Sequence, residues 1–278
     1  MPLSLSPQVF AIVSQLIEEK TGLHYELRDA EALADKLSIR ATELELDSLL
    51  DYYYHLRYDE AGGRELDALV ELLVVNETYF FREVDQLRAF VSQLVPETLE
   101  RKNPAPDKPI RIWCAACATG EEPLSLAMLL REHGLLERTE IVATDISARV
   151  LARARAGVYR GRAFRALGEP ERWRHFEEIG DGALRVHADL VQRIRWQKLN
   201  LLDFAAIDAL GRFDAILCRN VLIYFRDQTV LQLVERFAAS LAPAGLLLVG
   251  ASESLLRFGT VFDCEEHGGA FFYRKRTD

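Results

Sequence analysis

The residues with the clearest chemical potential stand at the ends of short apolar runs. Residues 110–114 form one such run, and Glu122 follows it after a tight turn of small residues. Asp145 and Asn220 end two later stretches that have the composition of strands, and Asn200 lies between these stretches at a third strand end. Polar groups at the carboxyl ends of neighbouring parallel strands meet in one crevice, where doubly wound α/β sheets bind nucleotide-type cofactors. The spacing therefore predicts a cofactor crevice built from four strand ends.

The turn that follows the first run has the composition of a ligand-binding turn. Residues 115–120 read Ala-Ala-Cys-Ala-Thr-Gly, so the backbone can bend sharply and leave room for a ligand. Glu121 and Glu122 then open a helix, where negative charge suits the helix dipole, and Pro123 fits the first turn. Asp145 lies 25 positions after the end of this turn. That spacing approximates the position of an acid that accepts hydrogen bonds from ribose hydroxyls.

The composition limits the classes of protein to which this chain can belong. A chain of 278 residues with 49% hydrophobic and 28% charged residues suggests about two soluble globular domains. No apolar run approaches the roughly 20 residues that span a bilayer, and the N-terminus lacks the basic and apolar regions of a signal peptide. Four cysteines indicate a reducing compartment rather than a disulfide scaffold. We expect a cytoplasmic protein with no direct membrane insertion.

The net charge of −9 is unevenly distributed. Residues 1–102 hold 10 Lys and Arg against 20 Asp and Glu, whereas residues 149–198 hold 12 against 6. An acidic half argues against nucleic-acid binding, which requires a basic face. The Arg-rich segment could contact an acidic partner or could simply be a solvated surface.

Periodicity divides the chain into a helical part and an α/β part. Residues 1–100 are predicted to form an N-terminal helical domain, 101–109 a Pro-rich linker, and 110–278 an α/β domain. Helical spacing predicts helices over 9–17, 30–41, 47–58, 64–75, 85–94 (extending towards 100), 147–156, 205–210 and 227–241. Strand patterns cover 110–114, 140–145, 213–220 and 245–250, with a final hairpin over 261–266 and 270–274. Residues 157–191 do not fit a simple crossover and indicate an insert with a small β-hairpin.

One stretch within the helical part interrupts the periodicity. Residues 75–83 contain adjacent aromatics and leave Asn76, Thr78 and Arg82 as polar candidates for a site. A helix cap at Asn76 or Thr78, beside a hydrophobic plug, is the simpler interpretation of this stretch taken alone.

Five motifs in this order resemble one known family. They are Asn-Glu-Thr-Tyr-Phe-Phe-Arg-Glu at 76–83, Ala-Ala-Cys-Ala-Thr-Gly-Glu-Glu-Pro at 115–123, Ala-Thr-Asp-Ile at 143–146, Asn-Leu-Leu at 200–202 and Cys-Arg-Asn-Val-Leu-Ile-Tyr-Phe at 218–225. Together they are similar to the CheR family of chemotaxis receptor glutamate O-methyltransferases, which use S-adenosylmethionine. The resemblance covers nearly the whole chain.

The resemblance implies a fold, a cofactor and a set of site residues. The implied fold is an α/β, Rossmann-like S-adenosylmethionine-dependent methyltransferase domain with an inserted β-subdomain, preceded by a small all-α domain. By motif position the cofactor contacts are Asn76, Thr78, Arg82, Glu122, Asp145, Asn200, Leu201, Arg219 and Asn220. Arg82 and Tyr224 are the implied catalytic residues, with S-adenosylhomocysteine as product and no metal. Leu124 departs from the family pattern, where an aromatic is common.

The implied reaction methylates glutamate side chains of a chemoreceptor-type protein. A glutamate carboxylate has a pKa near 4.3, so it is ionised at pH 7 and requires no general base. The protein must therefore align that carboxylate with the methyl group and remove part of its water. Arg82 could donate two hydrogen bonds to the carboxylate, and Tyr224 could supply a hydroxyl. The implied partner is the cytoplasmic helical region of a methyl-accepting chemotaxis receptor, met by a monomer of this chain.

Four other interpretations fit the sequence less well. Cys114 and Cys117 have the spacing of a redox pair, but they lie at a strand–turn–helix junction, where buried structural thiols are expected. The isolated Cys218 and Cys264 leave no zinc set. A nicotinamide-dependent oxidoreductase would require the Gly-x-Gly-x-x-Gly turn, and this turn contains only Gly120. A non-catalytic S-adenosylmethionine-binding adaptor would have no use for Arg82 and Tyr224.

The insert carries one more expectation. Family members that first bind a C-terminal receptor peptide add it to the edge of the β-subdomain, using a lengthened hairpin. The stretch 176–186 is short here, so we expect weak or absent binding of such a peptide. Recognition would then rest on the N-terminal helices and on the arginines of the insert, namely Arg162, Arg165, Arg172 and Arg174.

Overall fold

The computed structural model describes residues 3–102, 108–168 and 173–277, and the chain divides into two units. The first unit comprises Met1–Val75 together with Tyr224–Thr229, and the second comprises Asn76–Ile223 and Val230–Asp278. The division therefore falls at Val75, earlier than the expected boundary at residue 100. Most of the expected linker, residues 103–107, lies outside the described residues, as does Arg172 of the insert.

The first unit contains four α-helices whose ends have local chemical causes. They are α1 (Pro7–Thr21), α2 (Ala30–Glu43), α3 (Leu49–Tyr58) and α4 (Gly62–Leu73). The hydroxyl of Ser6 accepts from the Val9 amide to begin α1, and Gly22 ends it with φ 80°. Ser48 caps α3 through the Asp51 amide. These helices confirm the four predicted from the apolar spacing, and their buried faces form one core.

A second piece of chain completes the first unit. The His24 amide donates to the Tyr224 carbonyl at 2.9 Å. A Cβ on Gly22 would lie 2.9 Å from the Phe225 ring, so the absence of a side chain at this left-handed residue permits the close approach. The unit is therefore built from two segments that are far apart in sequence.

The second unit begins with the segment 76–83 and a long helical run. The run consists of α5 (Val84–Ala89), a π-helical turn (Phe90–Leu94) and α6 (Val95–Arg101). Phe90, Val91 and Leu94 of the π-helical turn are buried against the core of this unit. The run confirms the fifth predicted helix and its extension to about residue 100.

The rest of the second unit alternates strand and helix. Its strands are β1 (Ile110–Ala115), β2 (Thr139–Asp145), β3 (Val158–Arg160), β4 (Phe176–Glu178), β5 (Ala183–Val186), β6 (Ile194–Lys198), β7 (Phe213–Cys218), β8 (Leu241–Val249), β9 (Phe262–His267) and β10 (Ala270–Lys275). Its further helices are α7 (Glu121–Glu132), α8 (Ala148–Ala156), α9 (Ala188–Gln192), α10 (Phe204–Ala209) and α11 (Asp227–Ser240), the last of which begins within the first unit.

Seven strands form one sheet in the order β6-β2-β1-β7-β8-β10-β9. The first five are parallel, and the final hairpin adds two antiparallel strands, which confirms the predicted hairpin. The chain leaves β1 towards β2 on one side and reaches β7 on the other, so strand order reverses beside β1. In open α/β sheets, ligands bind at the carboxyl ends of the strands at such a reversal. The doubly wound fold is thus confirmed, and it locates the crevice at the ends of β1, β2 and β7.

Buried aromatic residues hold this sheet to its helices. Trp113 of β1 is fully buried and packs against Phe213 of β7 and Phe237 of α11. Its indole nitrogen donates to the Thr144 hydroxyl of β2 at 2.9 Å, which satisfies the one polar atom of the side chain. The tryptophan therefore fixes β1 between its two neighbours.

The insert between β2 and β6 folds into a small antiparallel sheet of order β3-β5-β4. The β4–β5 hairpin confirms the predicted one, and its turn carries positive φ at Gly180, Asp181 and Gly182. The short strand β3 was not predicted. Phe80 packs edge-on against Phe176 of this sheet and stacks on Phe164, so the segment 76–83 is tied to the insert.

No helix in the described ranges is long and apolar enough to cross a bilayer.

Candidate active site

The turn after β1 is held in a backbone conformation that side chains rarely adopt. Ala116, Ala118 and Gly120 have φ of 56°, 47° and 92°. A Cβ on Gly120 would lie 2.7 Å from that of Ala154 and 2.9 Å from the Trp196 ring. Left-handed non-glycine residues persist only where surrounding contacts hold them, and such residues cluster at ligand sites. The turn is therefore rigid and closely packed from behind.

Asp145 supplies part of that support. It ends β2 beside the turn and is buried. One carboxylate oxygen accepts from the Ala118 amide at 2.9 Å, and the other accepts from the Ser147 amide at 2.9 Å. Asp145 thus joins the turn after β1 to the start of α8. Its predicted role towards ribose hydroxyls stays a prediction.

Arg219 lies at the centre of the crevice, directly after β7. Its side chain is only 1% exposed. One terminal nitrogen donates to Glu122 at 2.9 Å, and the other donates to the Arg82 carbonyl at 2.8 Å and to Glu83 at 3.1 Å. The remaining donor, Nε, is buried and has no partner. A buried unpartnered donor is costly unless a ligand accepts from it.

The unpartnered Nε of Arg219 and the acids around it can be compared with the charged groups of the expected cofactor. S-adenosylmethionine carries a carboxylate, an ammonium and a sulfonium. The Nε of Arg219 offers a buried donor for a carboxylate, while Glu83 and Glu122 give the same region an excess of negative charge that suits cations. The residues present therefore fit an amino-acid-bearing, positively charged cofactor.

Two adjacent acids open α7, and they have different partners. Glu122 pairs with Arg219, whereas Glu121 accepts from the Thr119 hydroxyl at 2.7 Å. Burial raises the pKa of Glu122 above its ordinary value, against the opposing charge of Arg219. Burial likewise raises the pKa of Glu121, although the Thr119 hydrogen bond opposes the shift. The contact with Arg219 supports the choice of Glu122 as the site residue.

Glu83 was not predicted as a site residue, yet it has three partners in the crevice. It accepts from Arg219, from the Asn220 side-chain amide at 3.1 Å and from the Ala251 amide at 3.0 Å. Burial opposes its ionisation, but the hydrogen bond from Asn220 and the charge of Arg219 outweigh burial, so the pKa of Glu83 lies below its ordinary value. Glu83 is thus a carboxylate that stays charged.

Glu253, also not predicted, accepts from four backbone amides. One oxygen accepts from Asn220 and Gly250, both at 2.7 Å, and the other accepts from Val221 at 2.8 Å and Ile223 at 3.3 Å. The only sequence signal for this role is its position: an acid that follows a buried strand by a few residues.

The segment 76–83 reaches this network from the other side. The Phe81 amide donates to the Ser125 hydroxyl of α7 at 2.9 Å, and the Phe80 amide donates to the Ala163 carbonyl. The Arg82 guanidinium donates to the Glu77 carbonyl at 3.0 Å, while its own carbonyl accepts from Arg219. Asn76 and Thr78 are half-buried on this anchored segment.

Asn200 and Leu201 follow β6, the strand next to β2. The Asn200 side-chain oxygen accepts from the Leu202 amide at 3.0 Å, and Leu201 is buried. The Leu199 amide donates to the Asp145 carbonyl at 2.9 Å, which holds the end of β6 against the end of β2.

The structure thus brings most of the predicted residues to one edge of the second unit. Arg82, Glu122, Arg219 and Asn220 share one hydrogen-bond network through Glu83. Asp145, Asn200 and Leu201 lie at the ends of the adjacent strands β2 and β6. Tyr224 belongs to the first unit, so its relation to Arg82 stays a prediction.

The cysteines form no disulfide, although Cys114 lies beside Glu122 of this network. All four are free thiols; Cys114, Cys117 and Cys218 are buried, and Cys264 is exposed. Burial raises the pKa of each of the three buried thiols well above its ordinary value, so thiolates are disfavoured. The expectation of buried structural thiols at the turn is confirmed. In the described residues no group of three or more His, Cys, Asp or Glu is arranged to hold a metal ion.

Comparison with known proteins gives one consistent result. Residues 76–269 match the family model for the CheR methyltransferase, SAM binding domain. Chemotaxis protein methyltransferase 2 of Vibrio cholerae is 37% identical over 248 residues, covering 88% of this chain and 84% of its own. The chemotaxis protein methyltransferase of Vibrio parahaemolyticus is 35% identical over 281 residues, covering 98% of each chain. Chemotaxis protein methyltransferase 1 of Pseudomonas aeruginosa is 30% identical over 274 residues, covering 96% of this chain and 97% of its own.

Proposed function

Because this chain belongs to the CheR methyltransferase family, we propose that it methylates glutamate side chains of a chemoreceptor-type protein, using S-adenosylmethionine. It is an S-adenosylmethionine-dependent protein methyltransferase of chemotaxis. The observation that best supports the cofactor site is the buried Arg219, whose Nε has no partner and whose other nitrogens are held by two carboxylates. Neither the oxidoreductase nor the adaptor is favoured.

The residues proposed to hold the cofactor divide by chemistry. Arg219 offers its Nε to a carboxylate, and Glu122 offers negative charge to a cation. Asp145 is proposed to accept from ribose hydroxyls beside the turn after β1. Asn76, Thr78, Arg82, Asn200, Leu201 and Asn220 complete the proposed contacts. No metal is proposed, and S-adenosylhomocysteine is the expected product.

The proposed catalytic residues act on the acceptor. The bound cofactor supplies a methyl group that a sulfonium already activates. The acceptor glutamate is ionised at neutral pH and needs no base, so the protein's task is orientation and partial removal of water. Arg82 is proposed to donate to the acceptor carboxylate, and Tyr224 to place a hydroxyl near the transferred methyl.

The proposed partner is the cytoplasmic helical region of a methyl-accepting receptor, and we propose that this protein binds it as a monomer. Two of the insert arginines have partners within the chain. Arg165 pairs with Glu77 at 2.9 Å and lies over the Tyr79 ring at 3.7 Å, and Arg174 pairs with Glu132 at 2.7 Å. Exposed Arg162 is therefore the strongest remaining candidate among the described ones for contact with an acidic receptor helix.

Methyl transfer to a receptor fragment tests the proposal. The protein is incubated with methyl-labelled S-adenosylmethionine and a receptor cytoplasmic fragment, beside a fragment whose acceptor glutamates are replaced by alanine. We expect label only in the unreplaced fragment and its release as methanol under mild alkali, since methyl esters hydrolyse there. Cofactor binding without any transfer would favour the adaptor. Label that resists alkali would contradict methylation of a carboxylate.

A further inference from the structure

Two carboxylates from distant parts of the second unit hold the loop that follows β7. Glu83 comes from the segment before α5, and Glu253 comes from the turn after β8. Between them they accept hydrogen bonds from the Arg219 guanidinium, the Asn220 side chain and the backbone amides of residues 220, 221 and 223. We name Glu83 and Glu253 together the carboxylate clamp.

The clamp contacts Asn220 through both its backbone and its side chain. Asn220 has φ 59°, in the left-handed region. Its backbone amide donates to Glu253 and its side-chain amide to Glu83, so the residue is held from both sides. A Cβ on Gly250 would lie 2.5 Å from the Asn220 side-chain nitrogen, which shows how closely the turn after β8 approaches the loop. Asn adopts the left-handed region more readily than most residues, and these contacts hold it there.

The clamp also determines where Arg219 points. Glu83 and the Arg82 carbonyl hold one terminal nitrogen, and Glu122 holds the other. With both ends fixed, the Nε that lacks a partner can face only one direction. A guanidinium fixed in this way presents its donor without a further loss of side-chain entropy when a ligand binds.

We propose that Glu83 and Glu253 are positioning residues for methyl transfer, which hold Arg219 and Asn220 in the geometry that binds the cofactor. This inference rests on the proposed function, because it assigns the two carboxylates a role in that same site. Neither carboxylate needs to touch the cofactor; each acts through the loop between β7 and Tyr224.

A matched control variant on β7 distinguishes a positioning role in the site from a general contribution to stability. Asp214 lies at the opposite end of β7, is 7% exposed against 8% for Glu253, and accepts from the Arg111 amide at 2.8 Å and from Lys102 at 2.6 Å. It is an equally buried carboxylate that is far from the crevice edge. D214N should lower the thermal midpoint while leaving cofactor affinity unchanged.

The first experiment measures affinity for S-adenosylhomocysteine by calorimetry in the full chain and its variants. E253Q keeps the shape of the side chain but replaces one acceptor oxygen with a donor, so two of the four amides lose their acceptor. We expect E253Q and E83Q each to raise the Kd at least about tenfold, which equals about 1.4 kcal/mol. The KM for a receptor fragment should change less than twofold in both. E253D, which keeps both acceptor oxygens, should recover part of the lost affinity.

The second experiment is a double-mutant cycle. Because both carboxylates act on one loop, E83Q and E253Q together should raise the Kd by less than the product of their separate effects, whereas E83Q and D214N should act independently. Unchanged Kd in folded E253Q and E83Q would overturn the inference, as would equal Kd changes in E253Q and D214N. If E253Q does not fold, E83Q alone decides, since Glu83 is partly exposed. Absence of methyl transfer by the unmodified protein would refute the proposed function instead, and the binding measurements would still test the clamp.

Discussion

Arg219 and Glu122 lie 97 residues apart in sequence, yet the Arg219 guanidinium donates to the Glu122 carboxylate at 2.9 Å. The pair joins the end of β7 to the first turn of α7 across the crevice. Burial raises the pKa of Glu122, while Arg219 favours its ionised form. The charge of this crevice is therefore sensitive to pH over a range in which surface glutamates stay ionised.

Cofactor affinity should fall as pH decreases through that range. A raised pKa means that Glu122 takes up a proton at a higher pH than the ordinary value near 4.3. Protonated Glu122 no longer offers charge to the ammonium of S-adenosylhomocysteine, and its hydrogen bond with Arg219 is no longer an ion pair. Glu83, whose pKa is lowered, stays ionised over the same range. Calorimetry at a series of pH values should show that the affinity for S-adenosylhomocysteine declines with pH in the unmodified protein and in E121Q, but not in E122Q. An equal decline in E122Q would show that Glu122 is not the group responsible.

Asp145→Ala should weaken cofactor binding and also loosen the turn after β1. The proposed hydrogen bonds to ribose are charge-assisted, and each contributes about 1.5–3 kcal/mol. The amides of Ala118 and Ser147 lose their acceptor in the same variant, so the thermal midpoint should fall as well. Asp145→Asn keeps one acceptor oxygen, so its cofactor affinity and its thermal midpoint should lie between those of the unmodified protein and those of the alanine variant. Unchanged affinity for S-adenosylhomocysteine in the alanine variant would refute the placement of the ribose here.

Arg82→Ala and Tyr224→Phe should fold and yet transfer methyl groups slowly. We expect kcat to fall by about 10²-fold or more for Arg82→Ala, because orientation of the acceptor carboxylate is lost. For Tyr224→Phe, kcat should fall while the Kd for S-adenosylhomocysteine changes little. Tyr58→Phe is the matched surface control, since Tyr58 is 69% exposed. A Tyr224→Phe enzyme with the unmodified kcat would remove that hydroxyl from the mechanism.

Only one thiol should react rapidly in the folded protein. Cys264 is exposed, whereas the other three cysteines are buried. Burial raises the pKa of all four thiols, and it does so most strongly for the three buried ones, so accessibility is what distinguishes Cys264. Titration with a chromogenic disulfide reagent should therefore find about one fast thiol per native chain and four after denaturation. Cys264→Ser should abolish the fast phase. Rapid oxidation of Cys114 with Cys117 in the native protein would revive the redox interpretation.

A receptor C-terminal pentapeptide should bind weakly or not at all. The edge strand β4 has three residues, so it offers few backbone groups to an added strand. The result expected from calorimetry is no measurable heat at micromolar peptide, while a receptor fragment that lacks the pentapeptide is methylated as fast as one that carries it. Micromolar affinity would show that three residues suffice.

Local patterns were enough to predict most elements of the fold. The apolar spacing of α1 to α4 and the buried runs of β1, β2 and β7 arise from neighbouring residues, and caps such as Ser6 and Gly22 mark the helix ends. The strand β3 was missed because three residues carry no pattern of their own and depend on pairing with β5. The boundary at Val75 was missed because Phe80 packs against aromatic residues of the insert, far along the chain.

The candidate site was predicted less completely. Asp145 and Asn220 stand at strand ends, where the topology itself gives them a role. Glu83 and Glu253 resemble any surface carboxylate in sequence, because most of the groups they hold lie 30 to 168 residues away. Only the three-dimensional approach of β8 and the segment 76–83 to the end of β7 gives these two acids their function.

The return of Tyr224–Thr229 to the first unit affects how this protein could be engineered or recombined. A fragment that ends at Val75 would lack the carbonyl that accepts from His24 and the ring that covers Gly22. Exchange of the helical unit between homologues as one continuous cassette would separate it from a piece encoded about 150 codons downstream. A chimaera should therefore carry both segments from the same parent, and residues 224–229 are the part that a simple N-terminal swap would leave mismatched.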